Sequence, residues 1–158
     1  MSKFREQVTN SFKFKLFKLK QLPLAYVAGL KVTEINDEKA TVSITHNHWT
    51  KNPFRSMYFA AQAMAAELST GLLVMDRVNQ AKPKRVSMLV YNMQAEFSKK
   101  ATGTISFTCE QGEKLDSVFE KILTSDEGEV IELLTTGINQ DGEVVSTFRF
   151  TWTMKEKK

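Results

Sequence analysis

Between Asn52 and Gly71 the chain reads NPFRSMYFAAQAMAAELSTG, an alanine-rich helical run with a single carboxylate, Glu67. A carboxylate in such a run is exposed, paired with a cation, or held in a pocket, because an isolated buried charge is costly. At spacings of three and four, Ser56, Ala60, Ala63, Glu67 and Thr70 share one helical stripe, and Met57, Met64, Leu68 and Met75 a bulkier one. Small residues beside an acid leave room for a ligand, and Glu67 is then a functional residue. They equally admit a close-packed strand while Glu67 pairs with a lysine or arginine. The residue types leave both readings open.

Other chemistry-bearing residues are sparse. His46 and His48 flank Asn47, but H-x-H without a further ligand at suitable spacing is a poor metal site, and no metal is expected. Cys109 is the only cysteine, which excludes an internal disulfide framework and suggests a reduced, cytoplasmic setting. Cys109 itself reads as a packed strand residue, and Trp49 as a packed aromatic that also suits the wall of a pocket. No phosphate-cradling glycine loop, serine triad or dinucleotide fingerprint is present, so no cofactor is expected.

The elements around this helix follow from periodicity. Phe4, Val8, Phe12, Leu16 and Leu19 recur every three to four residues and predict an N-terminal basic amphipathic helix over residues 1–22, ended with the help of Pro23. Such a helix suits a membrane surface; packing on its own domain is preferred, and membrane contact is not expected. Ala28–Ile35 and Lys39–His46 read as strands joined by an Asn-Asp turn. The central helix is expected from about Phe54 to Val78, with Asn52 as a possible cap. Strands follow at Val86–Lys99 and Gly103–Gln111, then a short helix at Glu113–Thr124, then strands at Glu129–Asn139 and Val144–Met154. Six mainly antiparallel strands and one helix apolar nearly all round predict an α+β domain whose sheet curls about that helix.

A chain of 158 residues with 42% hydrophobic and 25% charged residues suits a single globular domain over 1–158. No apolar run approaches the roughly 20 residues that span a bilayer, and the N-terminal charges are too evenly interspersed for a secretory signal. Residues 1–20 hold six basic residues against one acidic, and 155–158 three against one, so the formal charge of +4 lies at the ends. A nucleic-acid binder carries its basic face on the folded domain; no nucleic-acid partner is expected.

Gly29–Ile35 (GLKVTEI), the loop Asn52-Pro-Phe-Arg-Ser-Met, the helix ending AAELSTG and the later Phe97-Ser-Lys-Lys-Ala-Thr-Gly resemble the hotdog-fold thioesterase superfamily. More narrowly they resemble its branch related to phenylacetate-pathway and 4-hydroxybenzoyl-CoA thioesterases. The resemblance runs from about Leu22 onward. It implies a curved antiparallel sheet wrapped around a long helix, assembled as a homodimer or dimer of dimers with sites at the dimer interface. The implied partners are acyl-CoA or acyl-carrier-protein thioesters. The family motif has an Asn before the helix, a His-Gly-Gly at its start and an acid nine residues after the His. Asn52 and Glu67 match the Asn and the acid; Tyr58, Phe59 and Ala60 stand where His-Gly-Gly would. By that resemblance Glu67 is the catalytic residue, backbone N–H groups around Tyr58 and Phe59 polarise the thioester carbonyl, and Ser56 or Tyr58 orients the reactants. Glu67 would act as general base or nucleophile. Ala60 and Ala63 leave space for the acyl group, and Lys99 and Lys100 are candidates for CoA phosphates, with a solvated turn as the preferred reading. The alternative is a non-catalytic hotdog domain that binds acyl-CoA or fatty acyl groups.

Overall fold

The computed structural model describes residues 2–125 and 127–157. Its strands are β1 (Lys31–Ile35), β2 (Ala40–Thr45), β3 (Arg85–Phe97), β4 (Thr104–Cys109), β5 (Glu129–Ile138) and β6 (Val144–Lys157). They form one antiparallel sheet in the order β1-β2-β4-β5-β6-β3. Period-two alternation sends Ala40, Val42 and Ile44, then Ile105, Phe107 and Cys109, then Phe148, Phe150 and Trp152 to one buried face. Against that face lies α4 (Phe59–Gln80), the central 22-residue helix. Its residues Leu72, Leu73 and Val74 are wholly buried.

The sheet bends at irregular pairings between Val32 and Glu34, Val90 and Asn92, and Gly137 and Ile138, as bulges do. Gly137 is needed for a second reason. A Cβ there would lie 2.4 Å from Phe107 Cε1, so only a glycine lets the ring pass beneath β5. Helix α5 (Glu113–Thr124) has the bounds its periodicity predicts and buries Leu115, Phe119 and Ile122.

Two hydrogen bonds between buried side chains fix how α4 is turned about its axis. Ser69 and Thr135 hydroxyls meet at 2.8 Å, and Trp152 Nε1 donates to Thr70 Oγ1 at 3.1 Å. In that orientation Ala60, Ala63, Met64 and Glu67 are only half-buried, on the side towards β6 and β3. The helix is therefore not buried all round, as its composition suggests; its first two turns keep one open face.

Two expected boundaries are corrected. The central helix begins at Phe59, not Phe54, because residues 52–58 form a tight loop with Arg55 at φ +62°, a left-handed conformation that cannot start a helix. The N-terminal segment is not one helix over 1–22. It comprises α1 (Lys3–Thr9) and α2 (Ser11–Gln21), broken at Asn10, whose extended backbone and side chain cap α2 through Lys13 N. Pro23 opens a further short helix, α3 (Pro23–Val27). The break resets the helical phase: α2 buries Phe14 and Lys18, while Phe12, Leu16 and Leu19 of the expected stripe are exposed. Among the described residues no helix is long and apolar enough to cross a membrane.

Candidate active site

The loop before α4 is built around Asn52. Its Oδ1 accepts from Phe54 N at 2.9 Å and Ser56 N at 3.3 Å, and its Nδ2 donates to Ser56 Oγ at 3.0 Å and Met57 O at 3.3 Å. Asn52 is thus not the helix cap; it folds the loop that aims the helix start, and Ser56 is buried as its partner. Tyr58 N is occupied by Thr50 O at 2.7 Å and Met57 N by Ala101 O at 2.8 Å. The amides of Phe59 and Ala60, the first two of α4, have no acceptor among the described residues. The expected donor pair around Tyr58 and Phe59 therefore shifts by one residue. Two free N–H groups at the positive end of a long helix dipole suit an anionic oxygen.

A groove of about 630 Å³ opens beside these amides. It gathers Asn52, Ser56, Tyr58, Phe59, Lys99 and Lys100 from two segments, residues 52–62 and 97–101. Lys99 is engaged, its ammonium bonded to Glu143, whose carboxyl it holds below the usual range. Lys100 is freer, with one long contact to Phe54 O at 3.4 Å. Tyr58 is half-exposed, and Phe59 meets the rings of Tyr58 and Phe97 edge-on at 4.9 and 6.4 Å between centroids. Phe59 thus leans sideways on aromatic neighbours.

Ala60, Ala63 and Glu67 do not line this groove. Glu67 lies eight residues further along α4 than Phe59, about 12 Å at 1.5 Å per residue. Its carboxylate accepts no hydrogen bond and makes no ion pair among the described residues, and burial alone pushes its pKa up. The pairing with a lysine or arginine that the composition allows does not occur among the described residues. Gly71 beside it makes room for Trp152: a Cβ there would sit 3.2 Å from Trp152 Cη2, closer than ordinary contact, and 3.5 Å from Glu67 Oε1, which is ordinary contact.

Gln62 and Phe97 are among the groove residues that sequence reasoning did not single out. Gln62 is 4% exposed, accepts from Ser146 Oγ at 2.8 Å and donates to Met57 O at 3.4 Å, tying α4 to β6 and to the loop. Its one signal was a polar amide at a core-facing phase of an apolar helix. Phe97, at the end of β3, lines it against Phe59; it opens a stretch that carries the family resemblance, but nothing local marked its ring as part of a site. His48 and Trp49 pack edge-on against each other at 5.4 Å and do not reach the groove, so neither walls it. Cys109 is buried in the core, which pushes its thiol up to about 11.

A family model described as "Domain of unknown function (DUF4442)" matches residues 12–154. The chain belongs to the DUF4442 family. No curated protein matches its sequence. Solved structures do match this DUF4442 chain. A Pseudomonas aeruginosa protein of unknown function, described as a probable thioesterase, is 16% identical over 96% of this chain and 99% of its own, with a TM-score of 0.79. A Chlorobaculum tepidum protein of unknown function has the same coverages and TM-score at 14% identity. A Haemophilus influenzae thioesterase is 11% identical over 89% of this chain and 88% of its own, with a TM-score of 0.65. At such identities the likeness establishes the fold: the DUF4442 chain has the hotdog architecture of thioesterase-like proteins, its sheet wrapped around α4.

Proposed function

We propose that the protein hydrolyses an acyl thioester, of CoA or of an acyl carrier protein, with Glu67 as its catalytic carboxylate. The observation that carries this reading is the state of Glu67: ionisable, partly desolvated and without a partner, on the central helix of a hotdog domain. A partly desolvated carboxylate with a raised pKa and no partner, on the open face of the helix, marks a site more often than a structural position.

The Phe59 and Ala60 amides supply the oxyanion site, where charge develops on the thioester oxygen. Glu67 takes a proton from water as the water oxygen attacks the carbonyl carbon. The C–S bond then breaks, and the thiolate leaves protonated by the same carboxyl. Attack by Glu67 itself would pass through an anhydride with equal balance; oxygen-18 from solvent water, found in Glu67 after a single turnover, separates the two. One chain does not place both groups on one carbonyl, since they lie about 12 Å apart along α4. A second copy supplies the missing half. Of the two edge strands, β1 and β3, β3 is the longer at thirteen residues and leaves Leu89, Tyr91, Met93 and Phe97 exposed, and such an edge pairs readily with another. Pairing β3 with its counterpart brings Glu67 of one copy towards the helix start of the other. Lys100 is then the cation free to meet a CoA phosphate.

The second reading is a non-catalytic acyl-CoA-binding domain. Favouring it, Phe59 and Ala60 give a carbonyl less clearance than two glycines would.

The test is thiol release from acyl-CoAs of short, long and aromatic acyl groups, for wild type beside Glu67→Gln. Turnover lost by about 10²-fold or more in the variant, with dimerisation and binding intact, is the expected result. Saturable acyl-CoA binding without turnover in either protein leaves the binding domain.

A further inference from the structure

A second cleft lies between α1–α3 and β1 and shares no residue with the groove at the start of α4. Its volume, about 830 Å³, is within the range of small-molecule sites. Its floor includes Phe14, and Phe12, Val32 and Trp49 give it apolar walls. Phe12 and Trp49 are 69% and 72% exposed, so its rim presents two large apolar side chains to water.

Three ammonium groups converge on this apolar space. Lys18 is 7% exposed; its Nζ donates to Leu30 O and stands 5.0 Å above the Phe14 ring. An ammonium has three donors, and Leu30 takes one. Lys15 lies over the Tyr26 ring at 5.9 Å, and Lys31 opens β1 beside them. No aspartate or glutamate lines the cleft, and none of the three lysines has an ion pair among the described residues. Burial first, and then the charges of Lys31 and Lys15, lower the Lys18 pKa. A buried cation with like-charged neighbours and no counter-ion is an unfavourable arrangement. An anion relieves it, and the apolar walls require that the anion carry a hydrocarbon chain.

We propose that this cleft binds a long-chain alkyl carboxylate, a free fatty acid, with its head group on Lys18, Lys15 and Lys31 and its chain along Phe12, Val32 and Trp49. A bare phosphate would leave the walls wet, and an uncharged lipid would leave the lysines uncompensated. The proposal stands independently of thioester hydrolysis, because it concerns other residues and is read by binding alone.

The test is titration of the full-length protein with laurate below its micelle concentration, followed by calorimetry and by tryptophan emission. The expected result is saturable binding with a blue shift that Trp49→Phe removes. Lys31→Glu, an exposed substitution that leaves the fold intact, weakens binding at least tenfold, and so does Lys18→Met; dodecanol and acetate do not compete. Undiminished laurate binding in Lys31→Glu, or dodecanol binding as tightly as laurate, overturns the proposal. So does sedimentation of the protein with phosphatidylglycerol vesicles that laurate does not reverse, which would make the cleft a membrane contact.

Discussion

The desolvation that raises the Glu67 pKa also fixes the sign of its effect on stability. A carboxyl whose folded pKa exceeds its unfolded value stabilises the fold while protonated, and that contribution disappears as pH rises through the folded value. At neutral pH the ionised group therefore weighs against folding. Glu67→Gln is expected to melt higher than wild type near pH 7, with the gain vanishing at about pH 4 and below, where both states are protonated. Scanning calorimetry across that range checks it; a variant that melts lower at neutral pH would mean that Glu67 has a structural partner. The same raised pKa places the acid limb of the kcat profile above that of an ordinary glutamate. Gln62 gives the opposite signature. Its amide satisfies buried partners at both ends, so Gln62→Leu leaves Ser146 unpaired and should cost about 1–3 kcal/mol in urea unfolding. Glu67 was legible as an oddity of residue type. Its lack of a partner was not, because pairing depends on residues far away in the chain.

Helix α1 is held to α4 by charge rather than by grease. Asp76 is wholly buried and receives Arg5 Nη2 at 2.6 Å, Arg5 Nε at 3.0 Å and Gln80 Nε2 at 2.8 Å. Arg77 beside it donates to Asp116 of α5 at 2.7 Å and to Asp37 O in the β1–β2 turn at 3.0 Å. One cluster thus joins α1, α4, α5 and a hairpin. Arg5→Met removes the two charged hydrogen bonds to buried Asp76 and leaves it Arg77 at 3.6 Å and the Gln80 amide, so it should lower stability by about 2–3 kcal/mol and expose residues 2–21 to protease. Urea unfolding with limited proteolysis reads both effects. At this scale α5 was legible to the residue because its apolar spacing suffers no interruption. The start of α4 and the break at Asn10 were misread for one reason. Both are decided by side chains of Asn52 and Asn10 that bond to the backbone, which an apolar periodicity does not register.

The molecule as a whole ends at one edge in a long strand with apolar side chains in water. Val90 and Asn92 flank the bulge that leaves Tyr91 75% exposed beside Leu89 at 67%. If β3 is the seam between two copies, Leu89→Lys with Tyr91→Lys should yield a monomer in sedimentation velocity. Such a monomer should also lose thiol release, because neither copy alone brings Glu67 to a helix start. Retained activity in a proven monomer would separate the site from the seam.

By itself the sequence determined the α+β class, the count and order of strands, the apolar central helix and the anomaly of Glu67, because these rest on local periodicity and residue type. Only the tertiary structure decided which face of α4 stays open, since that is set by Ser69 on Thr135 and Thr70 under Trp152, contacts between residues 66 and 82 positions apart. It alone gathered the groove from residues 52–62 and 97–101 and left the Phe59 and Ala60 amides free. It alone placed Lys18 on a buried face, because the break at Asn10 rotates α2 out of the phase its own spacing predicts.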